Sequence, residues 1–355
     1  MKFVHIADMH FDSTFTNLNT KKELGNKRRL EQREVFKKVI DYIYENKIPY
    51  LFIAGDLYEQ KYIRKTTIEY INELFKKIPN TKIFISPGNH DPYLRNSYYA
   101  NFNWNENVFI FKANIEKIEM PDCNIYGYGF EDFYTRSSGV ENIVLENKEK
   151  LNILLVHGSL DASQAIQDPY NIISSRQLEK VGFDYVALGH IHKNNIADNQ
   201  NVIYPGSLIS LGFDELGDHG MVVGNLEKGK LELSFIPLDH TKFIEKEINI
   251  SEINSVEELI EKINRIPEEK NKFIKLILMG KRNCEINTQE IMKLINNESI
   301  LKIKDKTVLN QNIHELKNEN NLKGIFIRTC LEKIDKNNYT KEEIEKIIEI
   351  GLEVL

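Results

Sequence analysis

Cysteine is scarce in this chain: Cys123, Cys284 and Cys330 are its three, among 355 residues, and none stands in a CxxC pair. That excludes a disulfide framework and a cysteine-built structural zinc site, and it points to a reducing cytoplasm. Long apolar runs are also missing. None approaches the ~18 to 20 residues of a membrane span, so no membrane partner is expected. The opening "MKFVHIADMH" breaks into Asp-Met-His after a short apolar run. It lacks the apolar core and cleavage site of a secretion signal and reads as a strand. An excess of positive charge is absent too. The formal net charge is -6, which excludes gripping nucleic acid by bulk charge alone. A site where bound ions bring the positive charge stays open. There is no internal repeat and no low-complexity tract. Proline is sparse, and Lys, Ile, Asn and Glu are abundant, which carries no functional information.

What is present is order. Over the first 240 residues, strands and helices alternate. "KFVHIA", "YLFIAGD", "KIFISPGNHD", "LNILLVHG" and "FDYVALGH" read as buried strands. "VFKKVIDYI" puts Val35, Phe36, Val39, Ile40 and Ile43 on one helical face, and "TTIEYINELFKKI" does the same with Ile68, Ile71, Phe75 and Ile78. "SSRQLEKVG" is a short helix stopped at Gly182, and "GMVVGNLEKGKLELSFI" is a hairpin turning at Glu227 to Lys230. Nearly continuous apolar strands between helices predict an α/β fold with its sheets covered on both faces. Residues 241 to 307 read as a smaller α+β unit. Residues 308 to 355 are charged and helical, and Ile344, Ile347, Ile348, Leu352 and Val354 form a stripe there.

The ends of the strands carry the chemistry. They are Asp8-Met9-His10, Gly55-Asp56, Gly88-Asn89-His90-Asp91, His157-Gly158 and Gly189-His190-Ile191-His192. Each alone is unremarkable, because Asn and Asp suit turns and a single His after a strand is most often a packing residue. Together they gather five of the nine histidines. Open α/β sheets bind ligands beyond the carboxyl ends of their strands, so these residues are expected in one pocket. The i, i+2 spacing of Asp8/His10 and of His190/His192 turns each pair to one side of an extended backbone. Carboxylate, imidazole and amide oxygen suit divalent Mn, Fe or Zn. One Asp between two groups of ligands can bridge ions about 3.5–4 Å apart. His5, inside the first strand, reads as packing, and His219, His240 and His314 read as surface or loop residues.

"DMH", "GD", "GNHD", "HG" and "GHIH", taken together over residues 8 to 192, resemble the calcineurin-like metallophosphoesterase superfamily. "HIADMHFDSTF", "GDLYE", "YPGSLISLGFDELGDHG" and the small domain after residue 240 narrow the likeness to SbcD-type DNA repair exonuclease subunits, which work with an SbcC-type coiled-coil ATPase. The resemblance implies a two-sheet αββα sandwich over residues 1 to 240, a capping α+β domain over 241 to 307, and a helical tail over 308 to 355 that docks the ATPase. It implies one metal held by Asp8, His10, Asp56 and His192. A second would be held by Asp56, Asn89, His157 and His190, with Asp56 bridging. It makes His90 the non-ligand catalytic histidine and Asp91 its orienter. The ions expected are two Mn²⁺, with Fe²⁺ or Zn²⁺ as alternatives. At the position of Glu59, some family members carry a His or Asp that helps place DNA. At "FDSTF" many exonuclease subunits have a Leu-Gly pair. These departures point to a divergent subfamily, the YhaO-like branch.

The expected function is metal-dependent cutting of DNA in repair, in the cytoplasm. The alternatives are a small-nucleotide phosphodiesterase and a scaffold that chiefly docks an ATPase. Lys27, Arg28, Arg29, Arg33, Lys61, Arg64, Lys65 and Arg95 are candidate phosphate contacts, though a solvated face is the plainer reading. Tyr93, Tyr98, Tyr99 and Trp104 are candidates for stacking on a base, with core packing as the alternative. "KKELGNKRRLEQREVF" is a candidate homodimer seam.

Overall fold

The structure is a computed structural model that describes residues 1–15, 22–134, 139–161, 171–196, 200–310, 316–333 and 339–354. It divides into two compact units, Met1–Lys242 and Phe243–Leu355.

The first unit is built on two sheets. One has six strands, in the order Lys230–Pro237, Gly220–Glu227, Lys2–Ile6 (β1), Tyr50–Ile53 (β2), Lys82–Ile85 (β3) and Val108–Ile110. β1, β2, β3 and the edge strand run parallel, and the hairpin joins β1 antiparallel. The other sheet has five strands, in the order Val202–Ile203, Tyr185–Gly189, Leu151–His157, Cys123–Gly127 and Glu116–Glu119. Side chains alternate across a strand, so each strand feeds two layers. Phe3, Phe52 and Phe84 from the first sheet and Ile125, Ile153, Leu155 and Tyr185 from the second form one dry cluster. Each such side chain contributes roughly 1.5–3 kcal/mol on burial. The Nδ1 of His5 meets the Tyr185 hydroxyl across this layer at 2.9 Å, and the ring is fully buried. Burial holds its pKa down to about 3.

The outer faces are covered by helices, which completes the αββα layering. The second sheet presents Leu154, Val156, Val186 and Leu188 to Leu178 of the helix Ser175–Val181. That helix is capped by the Ser174 side chain and ends at Gly182, whose φ of 84° a side chain would resist. β1, β2 and β3 are joined by the helices Lys22–Asn46 (α1) and Lys65–Lys76 (α2). α2 buries Ile68, Ile71, Leu74 and Phe75, and Phe75 meets Phe36 of α1, which in turn meets Phe11.

α1 is longer than its apolar pattern predicts. Only the part from Val35 onward has an apolar stripe. The first half is anchored by polar side chains instead. Arg28 is fully buried and donates to Asp239, Glu31 and the Ser210 carbonyl, so it is no phosphate contact. The Gln32 amide donates to the Met9 and His10 carbonyls. Two of the aromatic residues near residue 100 are packing as well. Tyr99 is buried and Trp104 lies against Phe75 and Tyr99.

In the second unit, Lys242–Asn249, Lys272–Met279 and Ile300–Asp305 form a three-stranded sheet. The helices Val256–Asn264 and Thr288–Leu294 add Leu259, Ile263 and Ile291 to its core. Farther along, Ile344, Ile348 and Leu352 of the helix Lys341–Val354 are buried with Ile327 and Cys330 of the helix Leu322–Leu331. The stripe thus divides: Ile347 and Val354 stay exposed. His314 lies outside the described residues. His219 is not a surface residue; it is buried and bonded to Ser207 and the Glu215 carbonyl. Among the described residues no helix is long and apolar enough to cross a membrane.

Candidate metal centre

The carboxyl ends of the strands of both sheets converge as the sequence predicts. β1 brings Asp8 and His10, β2 brings Asp56, and β3 brings Asn89 and His90. From the other sheet come His157, His190 and His192. The backbone must turn sharply to present them. Asp8, His10 and Asp56 all have positive φ, at 52°, 48° and 51°, and His190 lies at 102°. Left-handed backbone at non-glycine residues is costly and clusters at functional sites. Gly88 makes room: a Cβ there would stand 2.3 Å from Asp56 Oδ1.

Asp56 sits in the middle. Its Oδ2 is 3.3 Å from His157 Nε2 and 3.7 Å from His10 Nε2. Its Oδ1 accepts the backbone N–H of His90 at 2.8 Å. Asp8 is held by the His190 backbone N–H at 3.0 and 3.1 Å. Asn89 Oδ1 is 3.0 Å from His157 Nε2. The His190 ring stands edge-on to His157, with centroids 5.3 Å apart. Three groups bring ligand atoms within 4.8 Å of one another: Asp8, His10 and His192; His10, Asp56 and His90; and Asp8, Asp56 and His157.

Residues 1–194 match the profile of calcineurin-like phosphoesterases. The chain belongs to that family. It is also 26% identical over 246 residues to the uncharacterized metallophosphoesterase YhaO of Bacillus subtilis (strain 168), across 66% of this chain and 60% of that protein. The chain thus spans about 60% of the length of this curated relative. A crystal structure of TT1561 of Thermus thermophilus is similar at a TM-score of 0.37 and 12% identity, over 66% of this chain and 98% of that one.

The donor chemistry of this site fits divalent cations. The Nδ1 of His10 bonds Glu59 Oε1 at 2.8 Å, and that of His192 bonds Glu215 Oε1 at 2.6 Å. The Nδ1 of His157 donates to the Ala54 carbonyl at 2.8 Å. Carboxylates and carbonyls only accept, so each Nδ1 carries the proton and each neutral ring offers a lone pair at Nε2. The Nε2 atoms of His10 and His192 then face each other at 3.2 Å. Two lone pairs at that distance repel unless a cation or proton lies with them. His157 Nε2 faces two oxygens in the same way.

The electrostatics say the same. Burial opposes charge on His157 and His192, yet both are raised to about 9, His157 by Asp56 and His192 by Glu215 and Asp8. Burial also works against the Asp56 carboxylate, but the imidazoles around it, His157 first, hold its pKa well below the usual range. Burial pushes Asp8 up, against the pull of His192 and His157. His190 is lowered to about 4 by burial and by the neighbouring His157. Imidazoles raised by neighbouring carboxylates mark a concentration of negative charge that suits a cation.

Two further residues carry more than the sequence reading assigned them. Glu59 holds His10 through one oxygen and, through the other, His90 Nδ1 at 2.9 Å. Burial resists its charge, but bonds from both rings bring it down to about 2. Glu215, in "LGFDELG", orients His192 and takes the Leu211 backbone N–H. Carboxylates three residues after Asp56 and two after Phe213 were the available signals. The orienting role expected of Asp91 is corrected. Asp91 is fully buried and accepts the backbone N–H groups of Asp56, Leu57 and Gly88 and the Tyr99 hydroxyl. It braces the turn that carries Asp56, and Glu59 holds the His90 ring.

Proposed function

We propose that this chain is a phosphodiester hydrolase acting on DNA strands in repair, with two divalent ions, manganese foremost. Asp8, His10, Asp56 and His192 would hold one ion, and Asp56, Asn89, His157 and His190 the other. Bound there, the ions would supply positive charge for the phosphate and activate a water for in-line attack.

The protein's own groups do the rest. Asp56 Oδ2, between His157 and His10, is the oxygen both ligand groups share, and this single observation carries the reading. Glu59 and Glu215 fix the tautomers of His10 and His192, so their lone pairs point inward. His90 is the exposed ring of the cluster, with its side chain 44% exposed against 25% for His192 and 4% for His10. Its Nδ1 is engaged by Glu59, which leaves Nε2 toward solvent. Burial works against its charge, but the Glu59 bond and the charge of Asp56 raise it to about 9. With Nδ1 held by Glu59, the ring can give a proton from Nε2 to the leaving oxygen.

The DNA assignment is supported by "GDLYE" and "YPGSLISLGFDELGDHG", which resemble SbcD-type subunits. The same resemblance supports an SbcC-type coiled-coil ATPase as partner. Ile347, Ile350 and Val354 are the exposed apolar residues on the last helix that we assign to that contact. The test supplies Mn²⁺ to the purified chain and compares linear DNA, bis(p-nitrophenyl) phosphate and p-nitrophenyl phosphate. The expected order is DNA first, the bis-ester next and the monoester last. Preference for the monoester would overturn the diesterase reading. Cutting of the bis-ester with intact DNA would favour a small nucleotide.

A further inference from the structure

A second groove lies beside the metal centre. It encloses about 530 Å³, within the ~300–1,000 Å³ of ligand sites. Its lining includes Arg29, Arg33, Arg64, Leu30, Tyr62 and Asp12. Three guanidiniums stand against the single carboxylate of Asp12 among these lining residues. In a chain of net charge -6, this is a local reversal of sign.

The groove is built from the same segments as the centre. Asp12 follows His10 by two residues, and Tyr62 and Arg64 follow Glu59 by three and five. The Ser13 N–H bonds the His10 carbonyl, and the Tyr62 N–H bonds the Glu59 carbonyl. Asp12 Oδ2 fixes the wall by accepting the Arg64 N–H at 3.0 Å and the Thr67 hydroxyl at 2.8 Å. The groove therefore shares the backbone segments that carry His10 and Glu59.

The guanidiniums are positioned yet unsaturated. Arg29 gives one bond to the Ser13 carbonyl and one to Asn26. Arg33 bonds Thr67 Oγ1 and lies 5.1 Å over the Tyr70 ring. Each guanidinium has five N–H donors, and among the described residues most of them are left for a ligand. The Arg64 side chain is exposed and makes no bond among the described residues. Tyr62 and Leu30 are 53% and 63% exposed beside it. Phosphate-matching forks next to an open aromatic face describe a strand of nucleotides.

We propose that this groove holds the phosphate backbone of a single nucleic-acid strand on one side of the bond being cut, with Arg29, Arg33 and Arg64 on its phosphates and Tyr62 against an unpaired base. The proposal rests on the diesterase reading above and makes the substrate a chain of phosphates and not an isolated ester.

The test uses the full metal-loaded chain and a fluorescent single-stranded oligonucleotide with phosphorothioate links, which resists cutting. Anisotropy gives affinity across a salt series. Arg64→Ala should weaken binding about tenfold. It should also flatten the plot of log affinity against log salt by about 0.7 for the lost phosphate contact. Arg33→Ala should shift both in the same direction, and Tyr62→Ala should weaken binding with the slope kept. Unchanged affinity and slope in both arginine variants would overturn the proposal. So would inorganic tripolyphosphate displacing the strand at matched concentration, since that marks a polyphosphate site. Hydrolysis of the bis-ester by the unaltered chain separates the two ideas. Its absence alongside salt-dependent strand binding through these arginines would sink the diesterase reading and leave the groove standing.

Discussion

Glu59 satisfies two imidazoles with one carboxylate, and an amide cannot do the same. Gln has a single acceptor oxygen, so in Glu59→Gln either His10 or His90 would face an N–H₂ donor. Two losses are expected. Metal affinity should drop about 10- to 100-fold, as for other groups that orient a metal ligand. Diester hydrolysis should fall at least as far. His90→Ala should behave differently, keeping its ions while losing about 10²- to 10⁴-fold in rate. Elemental analysis beside steady-state rates distinguishes them. Metal loss in His90→Ala would make that ring a ligand and end its role as the proton donor. The strand-end residues were legible as a group because five apolar runs each end in one or two of them, while their division into two ligand sets came from the family resemblance. Glu59 and Glu215 were not, since a carboxylate that serves a histidine 49 or 23 residues away leaves no local pattern. Asp91 misled for the opposite reason. Its place beside His90 in sequence hid the fact that neighbours in a turn point apart.

At the level of elements, apolar periodicity found β1, β2, β3 and the strands Leu151–His157 and Tyr185–Gly189, but not Cys123–Gly127, which is buried throughout. It missed the first half of α1, where Arg28 and Gln32 do the anchoring through hydrogen bonds. It also joined residues on the last helix that packing separates. Ile348 is fully buried while Ile347 of the same stripe is 43% exposed, and Ile350, outside the stripe, is 58% exposed. Ile348→Ala should therefore cost about 2–5 kcal/mol in the stability of the second unit. Ile350→Ala should cost within about 0.5 kcal/mol. Calorimetric unfolding of the two variants checks this. Equal effects would mean that the helix does not pack on Leu322–Leu331 as described.

On the scale of the whole first unit, Arg28 ties α1 to the segment after the hairpin. It reaches Asp239 at 2.8 and 3.1 Å, and Asp239 also accepts the Ser210 N–H. Removing one partner of a buried pair strands the other charge. Arg28→Ala should cost about 3–5 kcal/mol in denaturant unfolding. An Arg28→Ala chain of unchanged stability but weakened DNA binding would return this residue to the phosphate contacts. The metal centre has a similar reach. His10 and His192, whose ring nitrogens meet at 3.2 Å, stand 182 residues apart in the chain. During synthesis, Asp8, His10, Asp56 and Asn89 leave the ribosome well before His190 and His192. The early half holds four of the seven donors assigned to the ions. The full donor set is therefore complete only once the second sheet has docked on the first.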